Sequence, residues 1–267
     1  MIGLALKLSA AGWGDYWDDA DRWIRNQFAE NQLTHADWVY HVAGGELRPC
    51  RYRTSTSAID PVTETGDRVP ERNVGGFAGY PTANDWYVGH GLGMQLSCTG
   101  NGSRALYYIW EHILSCEDGV LSINLLLNRP STWADVHSHL PYTGQVKVLV
   151  KENCSLLRVR IPKWVKLEEV VCTINGENRR PRWQGRYALM GALKAGDTVN
   201  VTFPISERKV SVDIEKQTYL LTLKGNDVVD IYPRGRFCPF YQRDHYRENT
   251  VRWKKVTRFV SGENIYW

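Results

Sequence analysis

Met94–Cys116, MQLSCTGNGSRALYYIWEHILSC, decides how the chain is organised. It opens apolar, carries Ser97-Cys98, meets Thr99-Gly100-Asn101-Gly102, and then spaces Leu106, Ile109, Trp110 and Ile113 as one buried helical face. The two glycines predict a sharp turn ahead of that helix, with Asn101 or Ser103 as its N-cap. Ser97 and Cys98 would then sit beside a helix N-terminus, where exposed N–H groups and the macrodipole favour an anion such as a thiolate. The alternative is a capped helix with a small buried thiol, the commoner fate of a lone cysteine.

Upstream of this stretch, residues 2–9 have helical spacing and Gly12 and Gly14 interrupt it. Asp15 is placed to cap a second helix, in which Tyr16, Ala20, Trp23, Ile24 and Phe28 recur on one face. Asp18 and Asp19 fall in its first turn and Arg22 and Arg25 later, an order that suits the helix dipole. From Thr34 to Met94 the periodicity fades into a Gly-, Pro-, Ser- and Thr-rich segment. A loop of that length is uncommon unless it is functional. Its polar and aromatic cluster, Asn84-Asp85-Trp86-Tyr87 with His90, comes shortly before Ser97-Cys98. Such a loop would line a pocket opening on the helix; the competing reading is ordinary surface scaffolding.

Downstream, the period changes to two. Val146, Val148 and Val150 alternate with polar residues, as do Leu157, Val159 and Ile161, then Val199, Val201 and Phe203, then Val210, Val212 and Ile214. Turn signals such as Asn175-Gly176 and Lys224-Gly225-Asn226-Asp227 fall between them. Short alternating strands with regular turns predict an antiparallel β-sandwich. The expected fold class is therefore α+β: a helical part with a long loop over 1–117, and β-sandwich structure over 118–267.

Composition narrows the functions. The chain has 267 residues, 43% of them hydrophobic, and a formal net charge of +4 with acidic and basic residues interspersed. A sizeable core is expected, and no basic stripe marks a nucleic-acid partner. The six cysteines, at 50, 98, 116, 154, 172 and 238, form no CxxC pair, and no His-x-x-x-His spacing accompanies them. That excludes a sequence-local zinc finger and fits reduced thiols. No transmembrane run is present, and the Met1–Leu8 apolar run is short for a signal peptide with Lys7 inside it, so a cytoplasmic location is expected. Eleven Trp and fourteen Tyr suit both core filling and sugar stacking.

SCTGNGSRALYYIWEHI, with INLLLNRPSTWADVHSHLPYTGQVKV, LRVRIPKWV and LTLKGNDVVDIYP, resembles the β-L-arabinofuranosidase-like glycoside hydrolases of family 127 and its relatives. The resemblance implies a carbohydrate partner and the C-terminal part of an (α/α)6 barrel followed by β-sandwich structure. It also implies that Met1 falls inside a late barrel helix, so that the sequence is a fragment of a longer protein. Family members are described as retaining enzymes using a zinc-bound cysteine as nucleophile and a glutamate as acid/base. Their zinc is held by a glutamate, a nearby cysteine and the two cysteines of a Cys-Cys-x-x-Asn motif. On that motif Asn101 matches the Asn and Cys98 the second cysteine, a metal ligand. The nucleophile position falls on Ser97.

A serine hydroxyl has a far higher pKa than a thiol and needs a dedicated base to attack. The other expected ligands and the acid/base would lie before Met1, leaving Cys98 alone of four, so zinc is expected for the family and not for this chain. Asp85, Trp86, His90 and Asn101 are the expected substrate contacts. Glu111 and His112 are read as packing or surface residues. Two functions follow: an impaired or incomplete glycoside hydrolase, or a non-catalytic carbohydrate-binding or scaffolding module.

Overall fold

The computed structural model describes residues 1–39, 68–79, 96–214, 216–235 and 240–248. Two N-terminal helices, α1 (Ile2–Ala10) and α2 (Trp17–Trp23), are followed by a π-helical turn, Ile24–Phe28, and a last helical turn, Ala29–Asn31. They pack with the long helix Leu96–Ile113 around Leu6, Trp17, Ala20, Ile24, Ile109 and Ile113, closed from the β side by Leu125. The spacing read from the sequence thus gives the buried face, except that Leu106 is exposed.

Two local expectations are overturned. The long helix begins at Leu96, so Thr99-Gly100-Asn101-Gly102 lies within its first two turns and does not break it. Asn101 and Ser103 therefore cap nothing: Asn101 Nδ2 donates to the Ser97 carbonyl at 2.9 Å and Ser103 Oγ to the Thr99 carbonyl at 2.9 Å, both one turn back. Asp15 does not cap α2, whose N-terminus has no side-chain cap. Its carboxylate instead accepts from Arg160 Nη2 at 2.8 Å. Arg160 also bonds Asp18, whose other oxygen accepts from the Lys163 backbone N–H at 2.8 Å. An acidic first turn, well placed for the helix dipole, has become the joint between α2 and the sandwich.

The long helix runs straight into β1 (Leu114–Glu117), which pairs with β2 (Val120–Ile123). One five-stranded sheet has the order β1-β2-β5-β9-β8, with β5 (Cys154–Arg160), β8 (Arg182–Gln184) and β9 (Tyr187–Leu193). The other has the order β3-β4-β10-β6-β7, from β3 (Ala134–Ser138), β4 (Gln145–Val150), β6 (Val171–Ile174), β7 (Glu177–Asn178) and β10 (Thr198–Thr202). Their inner faces share one core: Val146, Val148, Val199 and Val201 from one sheet and Leu121, Ile123, Leu157 and Val159 from the other are all fully or almost fully buried. The alternation of the sequence is the alternation of the pleat. One pairing departs from the antiparallel expectation: β2 runs parallel to β5, because β3 and β4 cross to the opposite sheet between them.

The remaining strands do not join the sandwich. β11 (Glu207–Ile214), β12 (Gln217–Lys224) and β13 (Asp227–Tyr232) make a separate antiparallel sheet. A buried polar cluster ties it to the N-terminal helices. Arg25 donates to Asp21 (2.8 Å), to Asp227 (3.3 Å) and to the Leu126 carbonyl (2.7 Å), while Asn226 Nδ2 donates to Asp21 at 2.8 Å. Arg243 adds bonds to Glu30 at 2.7 Å and to the Arg25 carbonyl at 2.8 Å. Buried charges persist only when paired and hydrogen-bonded in this way. No helix among the described residues is long and apolar enough to cross a membrane.

Candidate functional site

The first turns of the long helix are held by a strap, residues 75–79, that also pairs with the end of the N-terminal helices. Ala78 N donates to the Asn31 carbonyl at 2.8 Å, Gly75 N to the Leu33 carbonyl at 2.7 Å, and Phe77 N to Thr99 Oγ1 at 3.1 Å. Phe77 is 2% exposed and stacks on Phe28 with ring centroids 5.1 Å apart. It reaches this depth because position 102 is glycine: a Cβ there would lie 2.4 Å from the ring. Gly102 therefore serves close packing inside a helix, where a turn had been expected.

Between α1, the N-terminal helical pair and the long helix lies an open cleft of about 790 Å³. Cys98 and Asn101 line it from the long helix; Trp23, Gln27 and Asn31 line it from the opposite side. Cys98 is half-buried, and the strap passes so close that a Cβ on Gly79 would sit 3.0 Å from its Sγ. Ser97 is exposed one residue earlier, outside the cleft lining. Lys7 stands 4.4 Å above the Tyr108 ring at the far wall, a cation–π contact. The cleft thus offers aromatic faces, amide donors and acceptors, and one thiol, a set suited to a polyhydroxylated ligand.

Of the residues singled out from sequence, Cys98 and Asn101 come together here, and Ser97 lies at the edge. Asp85, Trp86 and His90 fall outside the described residues. Asn101 points its amide nitrogen back at the Ser97 carbonyl, which leaves its side-chain oxygen for a ligand. The wall of Trp23, Gln27 and Asn31 escaped the sequence reading, although its i, i+4, i+8 spacing marks one helical face.

A zinc site does not fit the donors described here. Among the described residues no group of three His, Cys, Asp or Glu side chains converges, and Cys98 is one thiol where a closed tetrahedral site takes four ligands. The other described cysteines are remote from this chemistry: burial pushes the Cys172 thiol up to about 11 and raises those of Cys116 and Cys154.

Comparison with known proteins bears on the β part most directly. Residues 127–205 match the family model of the β-L-arabinofuranosidase GH127 middle domain. No curated protein sequence matches the chain. Among solved structures, a GH127 β-L-arabinofuranosidase from Geobacillus stearothermophilus T6 is similar, with 20% identity, covering 61% of this chain and 26% of that one at a TM-score of 0.39. A GH127 β-arabinofuranosidase, BT3674, is similar at 17% identity, covering 49% of this chain and 25% of that one at a TM-score of 0.39. The chain spans about a quarter of the length of these structures. What is similar to the GH127 glycoside hydrolases at the level of a family model is therefore the stretch 127–205 of this chain.

Proposed function

We propose that the cleft beside Cys98 binds a carbohydrate, and that the chain derives from a retaining β-L-arabinofuranosidase whose catalysis is impaired here. One observation carries this reading: Cys98 and Asn101, three residues apart in the position of the family's Cys-x-x-Asn, both face the cleft. In this reading the three helices are the end of an (α/α)6 barrel and Asn101 positions substrate. Asp85, Trp86 and His90 contribute further contacts.

The impairment follows from Ser97. At the nucleophile position an alkoxide is far less accessible than a thiolate, and a hydroxyl is a poor zinc ligand, so attack on an anomeric carbon has no activated group to begin it. Cys98 remains at the cleft wall as a single sulfur donor. A second reading, a carbohydrate-binding module without turnover, is favoured by the same substitution.

The test uses the full chain with methyl β-L-arabinofuranoside as ligand and an aryl β-L-arabinofuranoside as substrate. Expected are saturable binding that weakens about tenfold, roughly 1.4 kcal/mol, in Asn101→Ala, and no release of the aryl group. Absence of binding overturns the carbohydrate reading. Turnover that disappears in Ser97→Ala overturns the impairment.

A further inference from the structure

The far end of the long helix holds a second cleft. Glu111 follows Cys98 by thirteen residues, about 20 Å along the axis at 1.5 Å per residue. There the helix meets the β1-β2-β5-β9 sheet, and the two enclose a cleft of about 700 Å³. Lys7 and Tyr108 line both clefts, so their cation–π pair is the partition between them.

The lining of this second cleft is not that of a packing defect. Three rings, Trp17, Trp133 and Tyr187, come from the helices, the segment before β3, and β9. The Arg158 guanidinium lies 4.8 Å over the Tyr187 ring and is fixed by its Nε donating to Ser122 Oγ at 2.7 Å. The Tyr187 hydroxyl donates to Asn124 Oδ1 at 2.8 Å. Asn124 is only 8% exposed and lines the cleft with its amide. On the helix side, Glu111 accepts a long bond from the Tyr107 hydroxyl at 3.5 Å and keeps a side chain that is 36% exposed. His112 is oriented by its Nδ1, which donates to the Tyr108 carbonyl at 2.8 Å and lies 3.6 Å from Glu111 Oε2.

We propose that this junction cleft is a second saccharide site, taking a neutral sugar ring. The half-buried Trp133 ring presents an apolar face on which a sugar's C–H face rests, with Trp17, 5% exposed, as the floor behind it and Tyr187 covered on one face by Arg158. The carboxylate of Glu111, the Arg158 fork and the Asn124 amide offer the acceptor and paired donors that adjacent hydroxyls require. Positive Lys7 and Arg158 are balanced by Glu111 and Glu117, so a net anionic ligand gains nothing by entering. The site stands apart from the Cys98 cleft and does not rest on the function proposed for that cleft.

The experiment is ¹⁹F NMR of the full chain carrying 5-fluorotryptophan, titrated with cellobiose, galactose and glucuronate. The signals of Trp17, Trp133 and Trp23 are assigned by single Trp→Phe variants. Trp17 and Trp133 line the junction cleft, and Trp23 lines the other. Saturable shifts of Trp17 and Trp133 with the neutral sugars are expected. Glu111→Gln, nearly isosteric and on a half-exposed side chain, should weaken them roughly fivefold to tenfold with an unchanged melting temperature. Asn101→Ala should leave them as they are. Shifts confined to Trp23 would overturn the second site while leaving the first intact. Silence at Trp17 and Trp133 with both neutral sugars, tighter binding of glucuronate than of either, or shifts indifferent to Glu111→Gln would each overturn the assignment.

Discussion

The Phe77 ring occupies the volume that any side chain at position 102 would need, 2.4 Å from where a Cβ would stand. The strap docks on the first two turns of the long helix through Phe77 N, which donates to Thr99 Oγ1 at 3.1 Å, and Phe77 reaches Phe28 beneath them.

Gly102→Ala tests that relationship. The helix itself would gain about 1 kcal/mol from alanine. Overpacking against a ring with no free space costs about 1–3 kcal/mol. The net expectation is destabilisation by up to about 2 kcal/mol in a urea melt, recovered in part by Phe77→Leu in the same chain. A more stable Gly102→Ala single variant would contradict the close contact.

Arg129 ties the segment before β3 to the end of the long helix through two backbone carbonyls and one ring. Its Nη1 donates to the Glu111 carbonyl at 3.0 Å and to the Leu114 carbonyl at 2.9 Å, and its guanidinium lies 4.0 Å from the Trp110 ring centre. It therefore caps the C-terminus of the long helix with a positive charge, as the macrodipole favours. Burial is deep enough to lower this guanidinium to about 10. Arg129→Met should keep most of the packing and lose both charged bonds, a cost of about 2–3 kcal/mol by thermal or denaturant unfolding. Arg129→Lys should recover only part of it, because an ammonium can donate to the two carbonyls but lacks the planar guanidinium that stacks on Trp110.

Asp227 gives the fold a pH dependence of definite sign. Burial pushes its carboxyl up to about 6, Asp21 adds to the push, and Arg25 and Arg243 oppose it. The folded chain then holds this proton more tightly than the unfolded one does. Its stabilising contribution is complete below about pH 4, where both states are protonated, and is lost as pH rises through about 6. Between those limits the contribution falls by on the order of 2–3 kcal/mol. In Asp227→Asn that slope should vanish from the stability–pH curve; an unchanged slope would place the titration elsewhere.

Thiol chemistry should separate Cys98 from the sandwich cysteines. Cys172 is 2% exposed with a thiol raised to about 11, and Cys154 is 7% exposed. Peptide mapping after brief iodoacetamide treatment near neutral pH should find Cys98 alkylated well before Cys172 and Cys154, whose modification should track global unfolding. Protection of Cys98 by methyl β-L-arabinofuranoside would in addition place that sugar in its cleft.

The β-sandwich was legible because each of its strands obeys a local rule. Val146, Val148 and Val150 alternate because their faces do, and Asn175-Gly176 closes β6 onto β7 with both residues left-handed, φ 53 and 88. The parallel pairing of β2 with β5 was not legible, since alternation carries no strand direction. Gly100 and Gly102 misled for a different reason. In a helix, glycine signals a turn or a close neighbour, and Phe77, the neighbour, lies 25 residues upstream in a segment without periodicity. The separation of β11–β13 from the sandwich likewise depends on Arg25 and Arg243, whose partners lie some 200 residues away in one case and at Glu30 in the other. For the candidate site, the sequence supplied Cys98 and Asn101 and missed the wall facing them.

The bond between Arg25 and Asp227 spans 202 residues of chain. On a ribosome, the helices that carry Asp21, Arg25 and Glu30 emerge before β13 and Arg243 and lack these partners for roughly ten seconds or more at about 5–20 residues per second. The sandwich, whose strands contact one another within a much shorter stretch, is free to close during that wait. The later strand thus lets the earlier helices settle, and a chain stopped between the sandwich and β13 would carry a closed sandwich beside helices whose buried charges lack their partners.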